Sequence, residues 1–242
     1  MTDLELIKKY VSSDKQKDAI KKLEIGYPVQ YIIGNVEFYG SIINVNENVL
    51  IPRFETEYLV EKTINYFNKL NVNKPNILEI GTGSGCISIA LKKEINGRID
   101  AIDISREALE IAKENAINNN ATINFIECDI NNFISNEKYD LIISNPPYVP
   151  FNSEYDDKIK YEPQNAIFAK DNGLYFYKII LERIKNNLND NYLIAFEIGD
   201  KEGQDIINLS KYYLPNSSAL LEYDYNNYER YIFITNKKEI FD

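Results

Sequence analysis

The chain of 242 residues contains no histidine. Histidine is the side chain that titrates nearest neutral pH, and it is the commonest metal ligand in proteins. Its absence excludes Ser-His-Asp and Cys-His catalysis and the zinc hydrolase sites that depend on histidine. Any catalysis must therefore rely on carboxylates or on the positioning of the reacting groups.

Cysteines and long apolar runs are also scarce, and the 27 basic residues are outnumbered by 37 acidic ones. Cys86 and Cys128 are too few for a disulfide framework and lack the spacing of a metal site, so we expect no metal centre. No apolar run approaches the roughly 18 residues of a membrane span, and no signal-peptide pattern is present, which predicts a cytoplasmic protein with reduced thiols. The formal net charge of −10 argues against non-specific binding to nucleic acid phosphates.

Apolar segments and helical patterns alternate through the centre and C-terminal half of the chain. The predicted strands are 77–80, 99–103, 123–126, 140–144 and 192–197. The predicted helices among them are 84–94, 105–118 and 174–188. Such alternation predicts an α/β fold with a parallel sheet and right-handed crossovers. Segments 219–223 and 230–234 are separated by only a polar turn, which predicts an antiparallel hairpin at one sheet edge.

The N-terminal part has a different character. Two capping-box patterns predict short helices over 3–11 and 14–24. A strand pair is expected around a turn at Gly40-Ser41, and a helix over 55–70. Arg53, just before that helix, could pair with Glu55 or Glu57. The segment 149–172 has no periodicity, which predicts a loop over the site.

The most informative stretch is the one that ends in Asn145-Pro146-Pro147-Tyr148. It follows an apolar strand, and two successive prolines cannot continue a sheet. Together, the side-chain carbonyl of Asn145 and the backbone carbonyl of Pro146 could accept both hydrogens of a planar amino group. Tyr148 could stack on that group. The loop therefore suits an amide or an amino-purine held in one orientation.

A glycine-rich loop, Glu79-Ile80-Gly81-Thr82-Gly83-Ser84-Gly85, follows the first strand of the alternating region and opens a helix. A dinucleotide loop would have its third glycine one residue later, where Cys86 stands. The loop has no Walker lysine either. The tighter spacing after an acidic residue better fits S-adenosylmethionine, which carries an ammonium and a sulfonium but no pyrophosphate.

Four carboxylates end predicted strands on this side. Asp103 could accept both ribose hydroxyls of an adenosine, or cap the following helix. Asp129 could accept from an adenine amine, or cap a short helix. Glu79 could reach a cofactor ammonium, or bond the amides of its own loop. Glu197 ends a strand that faces the same cleft, although a surface position fits its sequence context nearly as well.

These segments together resemble the glutamine methyltransferases that modify peptide chain release factors. The resemblance covers about residues 26–235. The matching segments are 28–34, 38–40, 49–57, 77–91, 145–148, 161–163, 171–174, 196–199 and Asp224 with Glu229-Arg230. Asn-Pro-Pro-Tyr alone is shared with amino-purine DNA methyltransferases. Its combination with Ile-Pro-Arg and Gln-Tyr-Ile-Ile-Gly is highly specific, although the family usually has proline where Phe54 stands.

The resemblance implies a Rossmann-like, seven-stranded methyltransferase sheet with a C-terminal antiparallel hairpin. It divides the chain into an abbreviated helical segment 1–25, a β-hairpin linker 26–54 and a methyltransferase domain 55–242. Family members commonly have a longer helical domain before the Gln-Tyr-Ile-Ile-Gly segment, which about 25 residues precede here. Because that domain helps to hold the protein substrate, we expect a changed docking mode.

The resemblance also implies the reaction: methyl transfer from S-adenosylmethionine to the glutamine of the Gly-Gly-Gln motif in release factors, by a monomer that does not bind nucleic acid directly. The catalytic residues are then Asn145, Pro146 and Tyr148, with Pro147 also at the substrate. The residues expected at the cofactor are Glu79, Gly81, Thr82, Gly83, Gly85, Asp103, Ile104, Asp129, Ile130 and Asn145.

Other readings stay open at this point. One is methylation of a ribosomal-protein glutamine, which a related branch performs. Another is methylation of a purine amino group in DNA or RNA, which would need a basic groove and usually a target-recognition region. If the protein were a scaffold without activity, we would expect the sequence of the Asn145–Tyr148 loop to be lost, and it is intact. A nicotinamide oxidoreductase is disfavoured by the displaced glycine.

Overall fold

The computed structural model of the protein describes residues 1–153 and 157–242. Within them, the α-helices are α1 (Asp3–Tyr10), α2 (Gln16–Glu24), α3 (Val29–Ile33), α4 (Phe54–Asn68), α5 (Cys86–Glu94), α6 (Arg106–Asn118), α7 (Tyr175–Ile184) and α8 (Gly203–Tyr213). The strands are β1 (Asn35–Phe38), β2 (Ser41–Asn44), β3 (Asn76–Ile80), β4 (Arg98–Asp103), β5 (Asn124–Glu127), β6 (Tyr139–Ser144), β7 (Val149–Pro150), β8 (Phe168–Ala169), β9 (Leu188–Glu197), β10 (Ser218–Tyr223) and β11 (Glu229–Thr235). None of these helices is long and apolar enough to cross a membrane.

A seven-stranded sheet forms the centre of the molecule, in the order β10-β11-β9-β6-β3-β4-β5. The strands from β9 to β5 run parallel, whereas β11 is antiparallel to both of its neighbours. This confirms the predicted α/β class, the seven strands and the C-terminal hairpin. The strand order reverses between β3 and β6, and open α/β sheets bind ligands at such a reversal.

The two faces of the sheet are buried under different helices. Leu141 and Ile143 of β6 face a core that is shared with α4, α5 and α6. Ile142 faces the opposite core, which is built with α7 and α8. All three residues are fully buried. Burial on both faces explains why residues 141–143 form a continuous apolar run rather than an alternating pattern.

The N-terminal helices form a small cluster of their own, with Ile7, Ala19 and Val29 at its centre. The β1–β2 hairpin ties this region to the main sheet. Asn115 of α6 accepts from the backbone N–H of Asn44 at 2.8 Å and donates to its carbonyl at 3.0 Å. The hairpin turn lies at Tyr39-Gly40, where both residues have positive φ, and not at the predicted Gly40-Ser41.

Several other expectations are wrong. The helix predicted over 174–188 ends at Ile184, because the chain turns at Asn187, whose side chain donates to the carbonyls of Ser135 and Glu137 at 2.8 Å. Helices α3 and α8 were not predicted. The segment 149–172 was predicted as a loop over the site, and residues of 163–166 do line the cavity described below. It also contains regular structure, namely the β7–β8 pair and short 3-10 helices; residues 154–156 of it lie outside the described residues.

Candidate active site

The loops that follow β3 and β6 lie side by side, because Ile80 pairs with Ser144 at the ends of these strands. A cavity of about 250 Å³ opens beside them. The predicted site residues that line it are Gly81, Gly83, Asp103, Ile104, Asp129, Ile130, Asn145, Pro146 and Pro147. Four predicted residues do not line it: Glu79, Thr82, Gly85 and Tyr148.

The glycine-rich loop turns tightly over the end of β4. The N–H groups of Gly81 and Thr82 both donate to the carbonyl of Ile102, at 2.9 and 3.0 Å. Gly85 has a φ of +81° and precedes α5, and a Cβ there would lie 3.1 Å from the Cβ of Ala112. Gly85 therefore allows close packing against α6, while Gly81 and Gly83 form the wall of the cavity.

Glu79 lies behind this loop and is fully buried. Its Oε2 accepts from the Thr82 hydroxyl at 2.7 Å and from the N–H of Ser88 at 3.0 Å, as well as from the Ser88 hydroxyl. Within the described part of the chain, Oε1 has no partner. Burial raises the pKa of Glu79 to about 7, although these hydrogen bonds oppose the rise. An unpartnered buried carboxylate oxygen beside the loop suits a cationic ligand group.

Two aspartates stand at the cavity wall: Asp103 is the last residue of β4, and Asp129 follows the end of β5. Asp103 accepts from the N–H of Gly83 at 2.8 Å and from that of Ser105 at 2.9 Å, one bond to each oxygen. Burial raises its pKa against these two hydrogen bonds. Asp129 caps a short 3-10 helix and accepts from the Asn131 backbone at 2.9 Å. Both residues thus cap backbone N–H groups and also border the cavity.

Asn145, at the end of β6, donates from Nδ2 to the hydroxyl of Thr56 at 3.1 Å. No donor among the described residues reaches the carbonyl oxygen of Pro146. Tyr148 points away from the cavity, and its hydroxyl donates to Oε1 of Glu197 at 3.2 Å. Burial, reinforced by the nearby Glu197 charge, raises the pKa of Tyr148 and keeps its phenol neutral. Tyr148 lines a separate concavity with Arg230 and Glu202.

Sequence reasoning missed Thr56 entirely and left Glu197 between a site and a surface role. Glu197 is 2% exposed, and its backbone carbonyl also accepts from the Tyr177 hydroxyl at 2.9 Å. The available signal was the position of Thr56 just after Ile-Pro-Arg, in the first turn of helix α4. Its partners, however, come from β6 and β9, which the sequence places far away.

The linker and the segment after β7 cover one side of the cavity. Residues of 48–50 and of 163–166 line it. Glu162 joins the two segments, because it accepts from the N–H of Ile51 at 3.0 Å and pairs with the guanidinium of Arg53. Arg53 therefore pairs with Glu162 rather than with Glu55 or Glu57.

Similarity to known proteins agrees with this geometry. Residues 59–162 match the family model described as Methyltransferase small domain. The release factor glutamine methyltransferase of Lactococcus lactis is 41% identical over 210 residues, which cover 84% of this chain and 76% of that protein. The chain belongs to the release factor glutamine methyltransferase family.

A second family member, the release factor glutamine methyltransferase of Fusobacterium nucleatum, is 42% identical over 214 residues. The match covers 85% of this chain but 59% of that protein, so the chain spans less than two thirds of that relative's length. Among solved structures, a methyltransferase from Pyrococcus furiosus superposes with a TM-score of 0.59 at 18% identity, covering 93% of this chain and 99% of that one. That likeness supports the fold of this family member.

The residues at the cavity fit the methyl donor that membership in a methyltransferase family implies. Gly81 and Gly83 offer open backbone, since a Cβ at either position would meet no atom within 4 Å. Asp103 offers a carboxylate for hydroxyl groups. Glu79 lies behind the glycine-rich loop and outside the cavity wall, and its unpartnered oxygen suits an ammonium. Ile104 and Ile130 supply apolar wall. This release factor glutamine methyltransferase homologue thus has open backbone, acceptors and apolar surface suited to S-adenosylmethionine.

Proposed function

We propose that this protein transfers a methyl group from S-adenosylmethionine to the side-chain amide nitrogen of the glutamine in the Gly-Gly-Gln motif of peptide chain release factors. The observation that carries the proposal is the pair of carbonyl acceptors at Asn145 and Pro146, which border the cavity beside the glycine-rich loop. The names of the similar proteins support the choice of substrate.

The cofactor would be held by the residues at the carboxyl ends of β3, β4 and β5. Asp103 would accept from the ribose hydroxyls, and Asp129 from the adenine amine. Glu79 would face the ammonium, and the backbone of Gly81 and Gly83 would lie against the ligand. When bound, S-adenosylmethionine supplies a methyl group on a positively charged sulfur, and the pair of electrons in the broken carbon–sulfur bond stays on that sulfur.

The protein activates the glutamine by orientation. An amide nitrogen is a weak nucleophile because its lone pair is delocalised into the carbonyl, and the chain has no histidine to act as a base. The carbonyl oxygens of Asn145 and Pro146 would accept the two N–H groups and hold the nitrogen in line with the methyl carbon. As the new N–C bond forms, positive charge develops on those hydrogens and both hydrogen bonds strengthen.

Such strengthening stabilises the transition state more than the ground state, which is the condition for catalysis. Orientation by itself lowers the activation free energy by up to about 7–11 kcal/mol in favourable cases. One amide proton then leaves to water. Because release factors act on ribosomes, we propose that the protein works in the cytoplasm. We also propose that it works as a monomer, which light scattering on the purified protein can check.

The test uses purified protein, methyl-labelled S-adenosylmethionine and a bacterial release factor. A matched release factor carries alanine in place of the glutamine of its Gly-Gly-Gln motif. We expect label only in the version with glutamine. Equal labelling of both versions would contradict the target residue. Absence of label in either version, with cofactor binding intact, would contradict the substrate and favour the ribosomal-protein or nucleic-acid alternative.

A further inference from the structure

A chain of hydrogen bonds connects the Asn145 amide to a buried carboxylate. Nδ2 of Asn145 donates to the Thr56 hydroxyl at 3.1 Å, and that hydroxyl donates to Oε2 of Glu197 at 2.7 Å. The other oxygen of Glu197 accepts from Tyr148. Thr56 and Glu197 are 3% and 2% exposed, so water cannot readily replace either partner.

The order of donors in this chain follows from elementary valence. An ionised carboxylate only accepts hydrogen bonds, and a threonine hydroxyl has a single proton. Because Thr56 uses that proton toward Glu197, its oxygen can only accept a further bond. Asn145 must therefore turn its amino group toward Thr56, and its carbonyl oxygen is left on the opposite edge of the amide.

The carboxylate of Glu197, which accepts at both of its oxygens, gives this chain its direction. Burial raises the pKa of Glu197, but the hydrogen bond from Thr56, the positive charge of Arg230 and the hydrogen bond from Tyr148 all oppose the rise. Arg230 is fixed close by, since its Nη1 donates to the carbonyl of Ile198 at 3.0 Å. A neutral donor at position 197 would reverse the hydroxyl of Thr56 and turn the Asn145 carbonyl toward it.

We propose that Thr56 and Glu197 are positioning residues that orient the Asn145 amide, so that its carbonyl oxygen, and not its amino group, faces the nitrogen to be methylated. This inference rests on the proposed function, because it concerns how the same acceptor is presented. Neither residue lines the cofactor cavity. Their loss should therefore change turnover and leave cofactor binding intact.

The first test compares two valine variants in helix α4. Thr56→Val removes the hydroxyl that holds Asn145, whereas Thr63→Val removes a fully buried hydroxyl that has no partner in the described residues. We expect kcat to fall about tenfold or more in Thr56→Val, since the amide is then free to turn. Thr63→Val should keep the wild-type kcat, and Thr56→Ser should restore turnover to within about threefold. A normal kcat in Thr56→Val would overturn the proposal.

The second test is Glu197→Gln, which keeps shape and removes charge. The new amide can donate to Thr56 while its oxygen still accepts from Tyr148, and Asn145 then turns. We expect kcat to fall about 10²-fold, as when one transition-state hydrogen bond is lost. Calorimetric affinity for S-adenosylmethionine and the melting temperature should stay near wild type. Unchanged kcat would overturn the proposal, as would equal losses of cofactor affinity and kcat.

These outcomes are separate from a failure of the proposed function. If the wild-type protein does not methylate a release factor at all, the substrate assignment fails. The orientation of Asn145 is then read directly from a high-resolution structure or from the side-chain amide NMR signals of the wild type and Glu197→Gln. A turned Asn145 amide in the Gln variant supports the inference, and an identical orientation in both proteins contradicts it.

Discussion

The turn before α7 packs against the back of the Asn145–Tyr148 loop at Gly173. This residue has a φ of +95°, and a Cβ there would lie 2.5 Å from the carbonyl oxygen of Tyr148 and closer still to Oε1 of Glu202. Real Cβ atoms do not approach backbone oxygens so closely. Gly173→Ala must therefore move either the turn or the active-site loop.

The expected cost has two parts. A non-glycine residue in the left-handed region costs roughly 1–2 kcal/mol, and overpacking of a tight site costs typically about 1–3 kcal/mol. Together they predict a loss of about 2–5 kcal/mol in the free energy of unfolding. For a chain of this length, that corresponds to a fall of roughly 4–20 °C in Tm. Movement of Tyr148 should also misplace Asn145 and lower kcat about tenfold or more.

A matched control separates strain from packing. Gly26 has a φ of +81°, but a Cβ there would meet no atom within 4 Å. Gly26→Ala therefore introduces the backbone strain alone. We expect it to lower the free energy of unfolding by about 1–2 kcal/mol and to leave kcat unchanged. Scanning calorimetry and steady-state kinetics on both variants give the comparison. If Gly173→Ala melts within a degree or two of Gly26→Ala and keeps normal kcat, the close packing behind the loop is refuted.

Three further predictions follow from the polar groups. Asp103→Ala should lower the affinity for S-adenosylmethionine at least about tenfold in calorimetric titration, because a charge-assisted hydrogen bond is lost. Unchanged affinity would contradict the role of Asp103. Burial raises the pKa of Glu79 to about 7. Because the ionised form would bind the ammonium, cofactor affinity should be full above that pH and fall as the pH drops through it. The free protein should lose stability as the pH rises from about 4.5 to 7, because the carboxyl ionises more easily in the unfolded chain. Glu79→Gln should weaken both dependences, and identical pH profiles for the variant would contradict the assignment. Arg53→Met leaves the Glu162 carboxylate, 3% exposed, without its cation and should lower the free energy of unfolding, measured with denaturant, by about 1–3 kcal/mol. Lys21→Met removes one partner of an exposed ion pair and should leave the free energy of unfolding almost unchanged.

Much of the fold could be predicted from local signals. The strands β3 and β6 are mostly apolar because both faces of the sheet are covered, although β3 includes Glu79 and β6 includes Asp140. The loops after them contain glycine or proline, whose backbone limits are intrinsic. The positions of Gly81, Gly83, Asp103 and Asn145 at one cavity follow from the rule for parallel strand ends. These features depend on a few consecutive residues each.

The missing parts depend on partners that are distant in sequence. Thr56 and Asn145 are 89 residues apart, and Thr56 and Glu197 are 141 apart, so no local pattern joins them. Helix α8 begins at a glycine and has no side-chain cap, so its sequence gives a weak signal. Arg53 pairs with Glu162 across the fold, although two nearer glutamates offered a local alternative.

The proposed role of Asn145 is to orient the amide that is methylated, without holding the cofactor by itself. The most direct measurement compares kcat on a release factor and calorimetric affinity for S-adenosylmethionine in wild type and Asn145→Ala. Loss of one transition-state hydrogen bond predicts a fall of about 10²- to 10³-fold in kcat, with cofactor affinity close to wild type. Near-normal turnover in Asn145→Ala would contradict the account.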